Sequence, residues 1–190
     1  MRPTAFRSAL LLLLGAGAWA GCGDPLSLLP AAFPNVVDTT SIYAASGTAV
    51  TLPSGYVIAQ RSPARLDQVS TFDFLYDITP AGEHIFLPLA ALVNTGRSNG
   101  NPGFLLATQP FDSITIALQQ GYVTADTVPL ALGEIFYVRS ALDPNCGLGI
   151  PYYAKLQVLG FDDSARKVTF QVLANVNCGY RGLEIGLPKK

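Results

Sequence analysis

The start of the chain constrains its fold and location more than any later stretch. Arg2 and Arg7 open it, an apolar run follows from Ala9 to Ala18, and small residues lead to Cys22. A cationic start, an apolar run of roughly 7 to 15 residues and small residues are the parts of an export signal. The run is too short to span a membrane, which takes about 20 apolar residues. The sequence therefore predicts an exported protein that folds in an oxidising compartment after residues 1–21 are removed.

Two cleavage sites compete at the end of this signal. Ala18-Trp19-Ala20 fits the small-x-small rule of an ordinary signal peptidase, which would release a secreted protein beginning at Gly21. Trp19-Ala20-Gly21-Cys22 resembles instead the lipobox of bacterial lipoproteins, with Trp19 where that motif usually has leucine. In that family the cysteine is lipidated and becomes the first mature residue. Gly23 after it, rather than aspartate, is typical of lipoproteins passed on to the outer membrane.

The cysteine count favours the lipobox interpretation. Three cysteines cannot all pair within one chain, so one of them needs another explanation. Cys22 lies far in sequence from Cys146 and Cys178. The segment that follows it, GDPLSLLPAAFPN, has three prolines and no charge beyond Asp24. We therefore expect a lipid-anchored tether over residues 22–37, with a free or intermolecularly paired Cys22 as the alternative.

Charge and length limit the class of the processed protein. Removing Arg2 and Arg7 with the signal takes the 12 basic residues to 10, against 13 acidic ones, a net charge near −3 over the remaining 169 residues. Such a balance argues against a nucleic-acid-binding protein, which needs a clustered basic face. Charged residues make up 13% of the chain, below the roughly 25% of average domains. We expect one mainly β domain over residues 38–190, an antiparallel sandwich-like fold with one short helix.

The first half of the domain predicts short strands joined by turns. Thr40–Ala45 and Gly55–Gln60 predict a first hairpin. Thr71–Ile78 alternates apolar and mostly acidic side chains, which indicates a strand with one buried face. Glu83–Leu92 predicts its return strand, in which Pro88 favours an edge or a bulge.

Two connecting segments carry other predictions. Asn94–Gly103 is rich in glycine and asparagine and predicts a long exposed loop where a ligand could be met, or a plain surface connection. Pro110–Gly121 predicts a short helix, although Ile114–Ile116 would suit a strand equally well.

The C-terminal third predicts a three-stranded antiparallel meander closed by a disulfide. Its strands are Gly133–Ser140, Tyr152–Phe161 and Lys167–Val176. The end of the first strand, the start of the second and the end of the third lie at one edge of such a meander. Cys146 and Cys178 both fall at that edge, so we expect them to be bonded.

Catalytic and metal-binding signatures are weak. No Gly-x-Ser-x-Gly motif occurs, and the Ser-x-x-Lys match at Ser164–Lys167 falls in a polar hairpin turn. His84 is the only histidine and has no partner at metal-ligand spacing, so we expect a partly exposed residue at a strand end. Asp73 and Asp77 are expected on a solvated strand face. The sequence therefore predicts neither an enzyme nor a metal site.

Arg181 stands in the distinctive segment Asn177–Gly186. Flanking glycines and the predicted bond at Cys178 would hold its guanidinium in place for a carboxylate or phosphate ligand. We favour a structural ion pair with Glu134, Asp143 or Glu184 that holds the C-terminal tail in place. We keep Arg181 and His84 as candidate ligand-binding residues.

The order of parts resembles that of the β-rich HmuY-like lipoproteins. The IYAASG, FDFLYDI and PFDSI segments and the closing EIFYVRS, YYAKLQVLGF and KVTFQVL strands carry this resemblance from about Thr40 to Ala174. The CGYRGL segment is closer to that of uncharacterised exported lipoproteins. The resemblance implies haem binding outside the cell, held by histidines or methionine. The mature chain has His84 and no methionine, so one copy retains only apolar capture or five-coordinate haem through His84.

These observations favour a non-enzymatic lipoprotein of the cell envelope that serves as a binding or interaction module. The candidate surface is the Asn94–Gly103 loop, with Tyr152 and Tyr153 added if the fold brings them near it. The alternatives are a carrier of haem or another apolar small ligand, and an uncharacterised hydrolase. A carrier needs a concave apolar cavity of several hundred Å³, whereas an interaction module can present a filled core and an open surface.

Overall fold

The computed structural model describes residues 30–97, 99–146 and 149–189, so the predicted signal, Cys22 and the first half of the predicted tether lie outside these ranges. It has ten strands, one short α-helix, α1, and 3₁₀ turns at Ile58–Gln60, Phe111–Ser113 and Pro144–Cys146. The strands and α1, in chain order, are β1 (Val37–Tyr43), β2 (Gly55–Val57), β3 (Ser62–Ala64), β4 (Phe74–Ile78), β5 (His84–Pro88), α1 (Leu89–Leu92), β6 (Gly103–Leu106), β7 (Val128–Pro129), β8 (Ile135–Asp143), β9 (Ile150–Asp162) and β10 (Lys167–Asn175).

The strands form two five-stranded sheets in which the paired strands are antiparallel. One sheet has the order β1-β10-β9-β8-β6, and the other has the order β3-β2-β4-β5-β7. The predicted fold class, a mainly β antiparallel sandwich-like domain with one short helix, is confirmed. Among the described residues no helix is long and apolar enough to cross a bilayer.

Aromatic rings fill the space between the two sheets. Phe74 and Phe86 of one sheet lie 4.9 and 5.1 Å, by ring centroids, from Phe104 of the other, and Tyr56 packs edge-on against Phe170. All five rings are at most 1% exposed. Burying a side chain of this size stabilises the fold by about 2 to 3 kcal/mol, so this cluster is the main reason the sheets stay together.

The C-terminal meander and its disulfide are confirmed. β8, β9 and β10 pair in sequence, and the Cys146–Cys178 disulfide joins the turn after β8 to the residues after β10 with 5.3 Å between the two Cα atoms. The β4–β5 hairpin is confirmed as well, with Phe74 opposite Pro88 and Ile78 opposite His84. The return strand is shorter than predicted, because Leu89–Leu92 turn into α1.

The predicted first hairpin is wrong. β1 pairs along its length with β10, from Val37 opposite Leu173 to Tyr43 opposite Lys167, while β2 pairs with β3 and β4 in the other sheet. The chain therefore crosses between the sheets after β1. β1 forms seven residue pairs with β10, whereas a hairpin with the three-residue strand β2 would give it at most three.

The predicted helix over Pro110–Gly121 is also wrong. Its 3₁₀ turn ends at Ser113, and Ile114 is extended. Backbone hydrogen bonds then join this segment to the C-terminal one, from Ala117 N to Arg181 O and from Leu183 N to Thr115 O, each 2.8 Å long. Residues 114–117 are extended because the C-terminal segment at residues 181–183 supplies their hydrogen-bond partners.

These two segments cover the outer face of β8, β9 and β10. Phe111, Ile114, Ala117 and Leu183 pack there on Tyr137, Tyr153 and Leu173 as a second, smaller core. Lys155 is buried beneath them, where its ammonium donates to Phe111 O and Ile114 O at 2.9 Å each. Burial lowers the pKa of Lys155.

Candidate functional site

An open cleft of about 650 Å³ lies where the ends of several strands and two loops meet near the disulfide. Its walls mix apolar side chains with a few charged ones, in particular Asp73, Arg97 and Asp143. The lining residues are Val57, Ala59, Gln60, Ser70, Thr71, Phe72, Asp73, Leu89, Val93, Thr95, Arg97, Ser140, Ala141, Leu142, Asp143, Pro144 and Tyr152. We call this the disulfide-end cleft.

Asp73 contributes to the cleft and is 5% exposed, which corrects its predicted place on a solvated strand face. Its carboxylate accepts hydrogen bonds from the backbone N–H of Ile58 at 2.7 Å and of Ala141 at 2.9 Å. Ile58 follows β2 and Ala141 belongs to β8, so the carboxylate ties the two sheets together. Burial raises the pKa of Asp73 to about 6, and the nearby Asp143 adds to the rise.

The predicted loop forms one rim of the cleft through Thr95 and Arg97. Asn101 organises this loop: its Oδ1 accepts from Thr95 Oγ1 at 2.8 Å and its Nδ2 donates to Arg97 O at 3.0 Å. Arg139 of β8 donates to Asn101 O at 3.0 Å and so connects the loop to the sheet. The residues between Asn94 and β6 have no helix or strand where they are described, and Ser98 lies outside the described residues.

Tyr152 and the disulfide lie at the other side of the cleft. Tyr152 lines it, and its Oη is 3.1 Å from Cys146 Sγ. Burial and a hydrogen bond to the Asp143 carboxylate raise the pKa of Tyr152 to about 12. Tyr153, one residue later, points to the opposite face of β9 and packs against Tyr122 in the outer core. The fold therefore brings Tyr152, but not Tyr153, to the cleft that the loop borders.

His84 lies at the far end of the β4–β5 hairpin from Asp73. Its Nδ1 is 2.6 Å from Tyr76 Oη, its Nε2 is 3.3 Å from Asp163 Oδ1, and its ring stacks on Phe161 with 3.8 Å between centroids. Both ring nitrogens and one ring face thus have partners. Ligation of haem iron by His84 would require one of these contacts to break.

Arg181 lies in a second open cleft, also of about 650 Å³, on the outer layer. Its guanidinium donates to Ala117 O at 3.2 Å. The ion pair with Glu134, Asp143 or Glu184 stays a prediction; the ion pairs of Arg65, His84 and Lys167 in the described residues are made with Asp67, Asp163 and Asp162. The flanking chain is held by backbone bonds to residues 115–117, so Arg181 does not need a carboxylate to order it.

The polar residues singled out in the sequence do not converge. Asp73 is in the disulfide-end cleft, and Arg181 is in the second cleft. Asp77 accepts from Ser46 N at 3.0 Å and from Ser46 Oγ at 2.7 Å, at the opposite end of β4 from Asp73. Within residues 30–97, 99–146 and 149–189, no group of three or more His, Cys, Asp or Glu side chains is placed to hold a metal ion.

Comparison of the chain with protein-family models, with curated proteins and with solved structures finds no match.

Proposed function

We propose that this protein is an exported lipoprotein, attached to the cell envelope through Cys22, whose domain binds an extended segment of a partner protein in the disulfide-end cleft. The observation that carries the binding proposal is the composition of this cleft. It combines apolar side chains such as Val93 and Phe72 with the charged Arg97 and with exposed threonine and glutamine side chains. An extended peptide presents both apolar side chains and polar backbone groups, so a mixed open cleft suits it.

A carrier of an enclosed apolar ligand receives less support. The space between the sheets is occupied by the rings of Tyr56, Phe74, Phe86, Phe104 and Phe170. The two large clefts described above both open to solvent and have charged residues in their walls, which differs from the enclosed and mainly apolar site that small-ligand carriers use.

The anchor is tested by metabolic labelling with a palmitate analogue in a bacterial host. We expect the wild-type protein to be labelled and Cys22→Ser to lose the label, because the acyl groups need the Cys22 thiol. Cys178→Ser keeps Cys22 and serves as the control, which should be labelled like the wild type. Label in both wild type and Cys22→Ser, or in neither, would contradict lipidation at Cys22.

The cleft is tested with peptides selected from a phage-displayed random library against the wild-type domain. Val93 is 51% exposed and lines the cleft, so Val93→Arg places a charged side chain in it. We expect the selected peptides to lose at least tenfold in affinity for Val93→Arg, measured by titration calorimetry. A buried charge without a partner opposes binding by more than the 1.4 kcal/mol that a tenfold change represents.

Leu132→Arg is the matched control for the same peptides. Leu132 is 70% exposed and precedes β8, whereas the cleft uses the other end of that strand, from Ser140 to Asp143. Affinity should be unchanged in this variant. Failure to select any peptide, or equal losses in the two variants, would refute the cleft as a peptide-binding site.

A further inference from the structure

Exposed apolar side chains gather where the tether joins the domain. Seven of the fourteen large apolar side chains exposed in the described residues lie on three short segments, 33–37, 116–118 and 185–187. They are Phe33, Val36, Val37, Ile116, Leu118, Ile185 and Leu187. Such concentration is unusual for a free surface, because an exposed apolar patch that serves no contact favours aggregation.

Backbone pairing makes these three segments neighbours. Asn35 N donates to Gly186 O at 2.8 Å and Gly186 N donates back to Asn35 O at 2.9 Å. On the other side of the C-terminal segment, Ile116 forms an isolated β-bridge with Gly182. Segment 182–186 thus lies between the other two, at the spacing of paired strands, about 4.8 Å. We call the three segments together the tether-side surface.

The second cleft opens on this surface and adds positive charge to it. Ile116, Ile185 and Leu187 line the cleft, with exposed fractions of 51%, 75% and 60%. Arg181 and Lys189 line it too, against one acid, Glu184. Apolar side chains beside cationic ones are the combination that settles at the boundary between lipid headgroups and acyl chains.

Asparagine side chains hold the tether against this surface. Asn177 Oδ1 accepts from Ala32 N at 2.8 Å and from Phe33 N at 3.0 Å, and Asn177 Nδ2 donates to Phe33 O at 2.7 Å. Asn35 Nδ2 donates to Gly182 O and Glu184 O at 3.0 Å each. Asn35 and Asn177 are at most 5% exposed. The direction in which the chain leaves the domain toward Cys22 is therefore set by the domain itself.

The distance from the domain to a lipid on Cys22 is short. Pro30 is the first described residue, eight positions after Cys22. Eight residues span at most about 28 Å when fully extended. A lipid on Cys22 therefore keeps the tether-side surface nearer the bilayer than the opposite end of β1 and β10, where Tyr43 pairs with Lys167.

We propose that the tether-side surface lies on the bilayer, with Ile185, Leu187 and Ile116 at the headgroup boundary and Arg181 and Lys189 against anionic headgroups. This inference rests on the proposed lipidation of Cys22, and it deepens that proposal by giving the domain a fixed orientation on the membrane. The lipid keeps the protein attached, and the surface contact leaves the Tyr43–Lys167 end of β1 and β10 farthest from the bilayer. Ile185 is the most exposed of the three apolar residues and should enter deepest.

A tryptophan reporter tests this orientation. The only tryptophan of the chain is Trp19, which is removed with the signal, so the mature protein has no indole fluorescence of its own. We would place tryptophan at the surface by Ile185→Trp and at the opposite end by Val50→Trp, since Val50 is 66% exposed in the loop after β1. Each lipidated variant is added to preformed vesicles of phosphatidylethanolamine and phosphatidylglycerol (3:1), with and without brominated acyl chains. Matching thermal melts of the two variants and wild type establish that both are folded.

We expect the indole in Ile185→Trp to shift to shorter wavelength on vesicles and to be quenched at least threefold by brominated lipid. The indole in Val50→Trp should show neither effect. If both indoles remain unquenched while the protein floats with the vesicles, the anchor stands and the orientation proposal is overturned.

Two further outcomes distinguish a protein contact on the tether-side surface from a missing lipid anchor. If the indole emission of Ile185→Trp is at the same short wavelength with and without vesicles, another part of this chain or a second copy covers the surface. That result would overturn the proposal. Intact-mass measurement of the purified protein reports the acyl groups. Their absence would overturn the lipoprotein proposal and the orientation together, which distinguishes that failure from loss of surface contact alone.

Discussion

Loss of the Cys146–Cys178 disulfide is expected to lower the free energy of unfolding by about 3 to 4 kcal/mol. The two cysteines are 32 positions apart, and in the chain-entropy model a crosslink that closes a loop of this size removes that much conformational freedom from the unfolded chain. In a domain of this length the loss corresponds to a fall of about 10 °C in Tm. The bond also contacts one wall of the disulfide-end cleft, since Cys146 Sγ lies 3.1 Å from Tyr152 Oη.

Thermal melts with and without reductant measure this effect, in a Cys22→Ser background so that the proposed anchor plays no part. The unreduced protein should melt about 10 °C above the reduced one. The variant Cys146→Ser/Cys178→Ser is the control: it should melt near the reduced protein and should not respond to reductant. A midpoint that reductant leaves unchanged, under conditions where free thiols are detected after treatment, would contradict a stabilising bond.

Asp73→Ala is expected to lower the free energy of unfolding by about 3 kcal/mol at pH 7. The change leaves the buried N–H groups of Ile58 and Ala141 without their acceptor, and each unpaired donor costs about 1 to 3 kcal/mol. The variant no longer has a carboxylate charge to bury, and this gain offsets part of the lost stability. Asp73→Asn keeps one acceptor oxygen but turns its amide N–H toward the second donor, so it should recover only part of this loss.

Urea unfolding measures the loss, and Asp126→Ala provides the control. Asp126 is an exposed loop residue, so its removal should change stability by no more than about 0.5 kcal/mol. Equal stabilities of Asp73→Ala and wild type would show that the carboxylate does not tie the sheets together.

The stability difference between wild type and Asp73→Ala should also depend on pH, and the raised pKa of Asp73 fixes its direction. Asp73 has a folded pKa of about 6, above its ordinary 3.8, so between these values the folded state binds more protons than the unfolded one. The stability of wild type relative to Asp73→Ala should therefore increase by about 1 kcal/mol as the pH falls from 7 to 5. If the stability of wild type relative to Asp73→Ala decreases as the pH falls from 7 to 5, the raised pKa of Asp73 is contradicted.

The parts of the fold that the sequence predicted correctly are formed by segments that are neighbours along the chain. The β8–β10 meander and the β4–β5 hairpin join segments that are consecutive along the chain, so period-2 patterning and turn residues are enough to identify them. The pairing of Cys146 with Cys178 followed from the meander, because antiparallel strand ends return to the same edge.

The incorrect predictions concern partners that are distant in sequence. β1 has the pattern of a hairpin strand, but its partner is β10, about 130 positions later. Residues 114–117 have a mixed helix and strand pattern, and backbone groups of residues 181–183 decide for the extended form. Asp73 has the pattern of a solvated strand face, but β8 approaches from the other sheet and covers it. Composition and periodicity in a short window do not report such distant contacts.

The candidate site was predicted in part. The glycine-rich and asparagine-rich Asn94–Gly103 segment was identified from its turn residues, and Tyr152 was proposed on condition that the fold brings it close, which the structure does through the cleft that both line. No pattern in the surrounding sequence identifies the burial of Asp73 or the apolar tether-side surface. A single acid and scattered isoleucines and leucines are common in strand-rich chains whether or not they form such features.

The sequence by itself determined the strand-rich class, the meander, the cysteine pairing and the expectation of export, because each of these depends on composition or on residues close together along the chain. Only the tertiary structure decided which sheet receives β1, which carboxylate is buried between the sheets, and which exposed apolar residues gather beside the tether. The physical reason is that burial and hydrogen-bond satisfaction depend on segments that meet across the sandwich. Asp73 and Ala141 are 68 positions apart in the chain and 2.9 Å apart at their hydrogen bond.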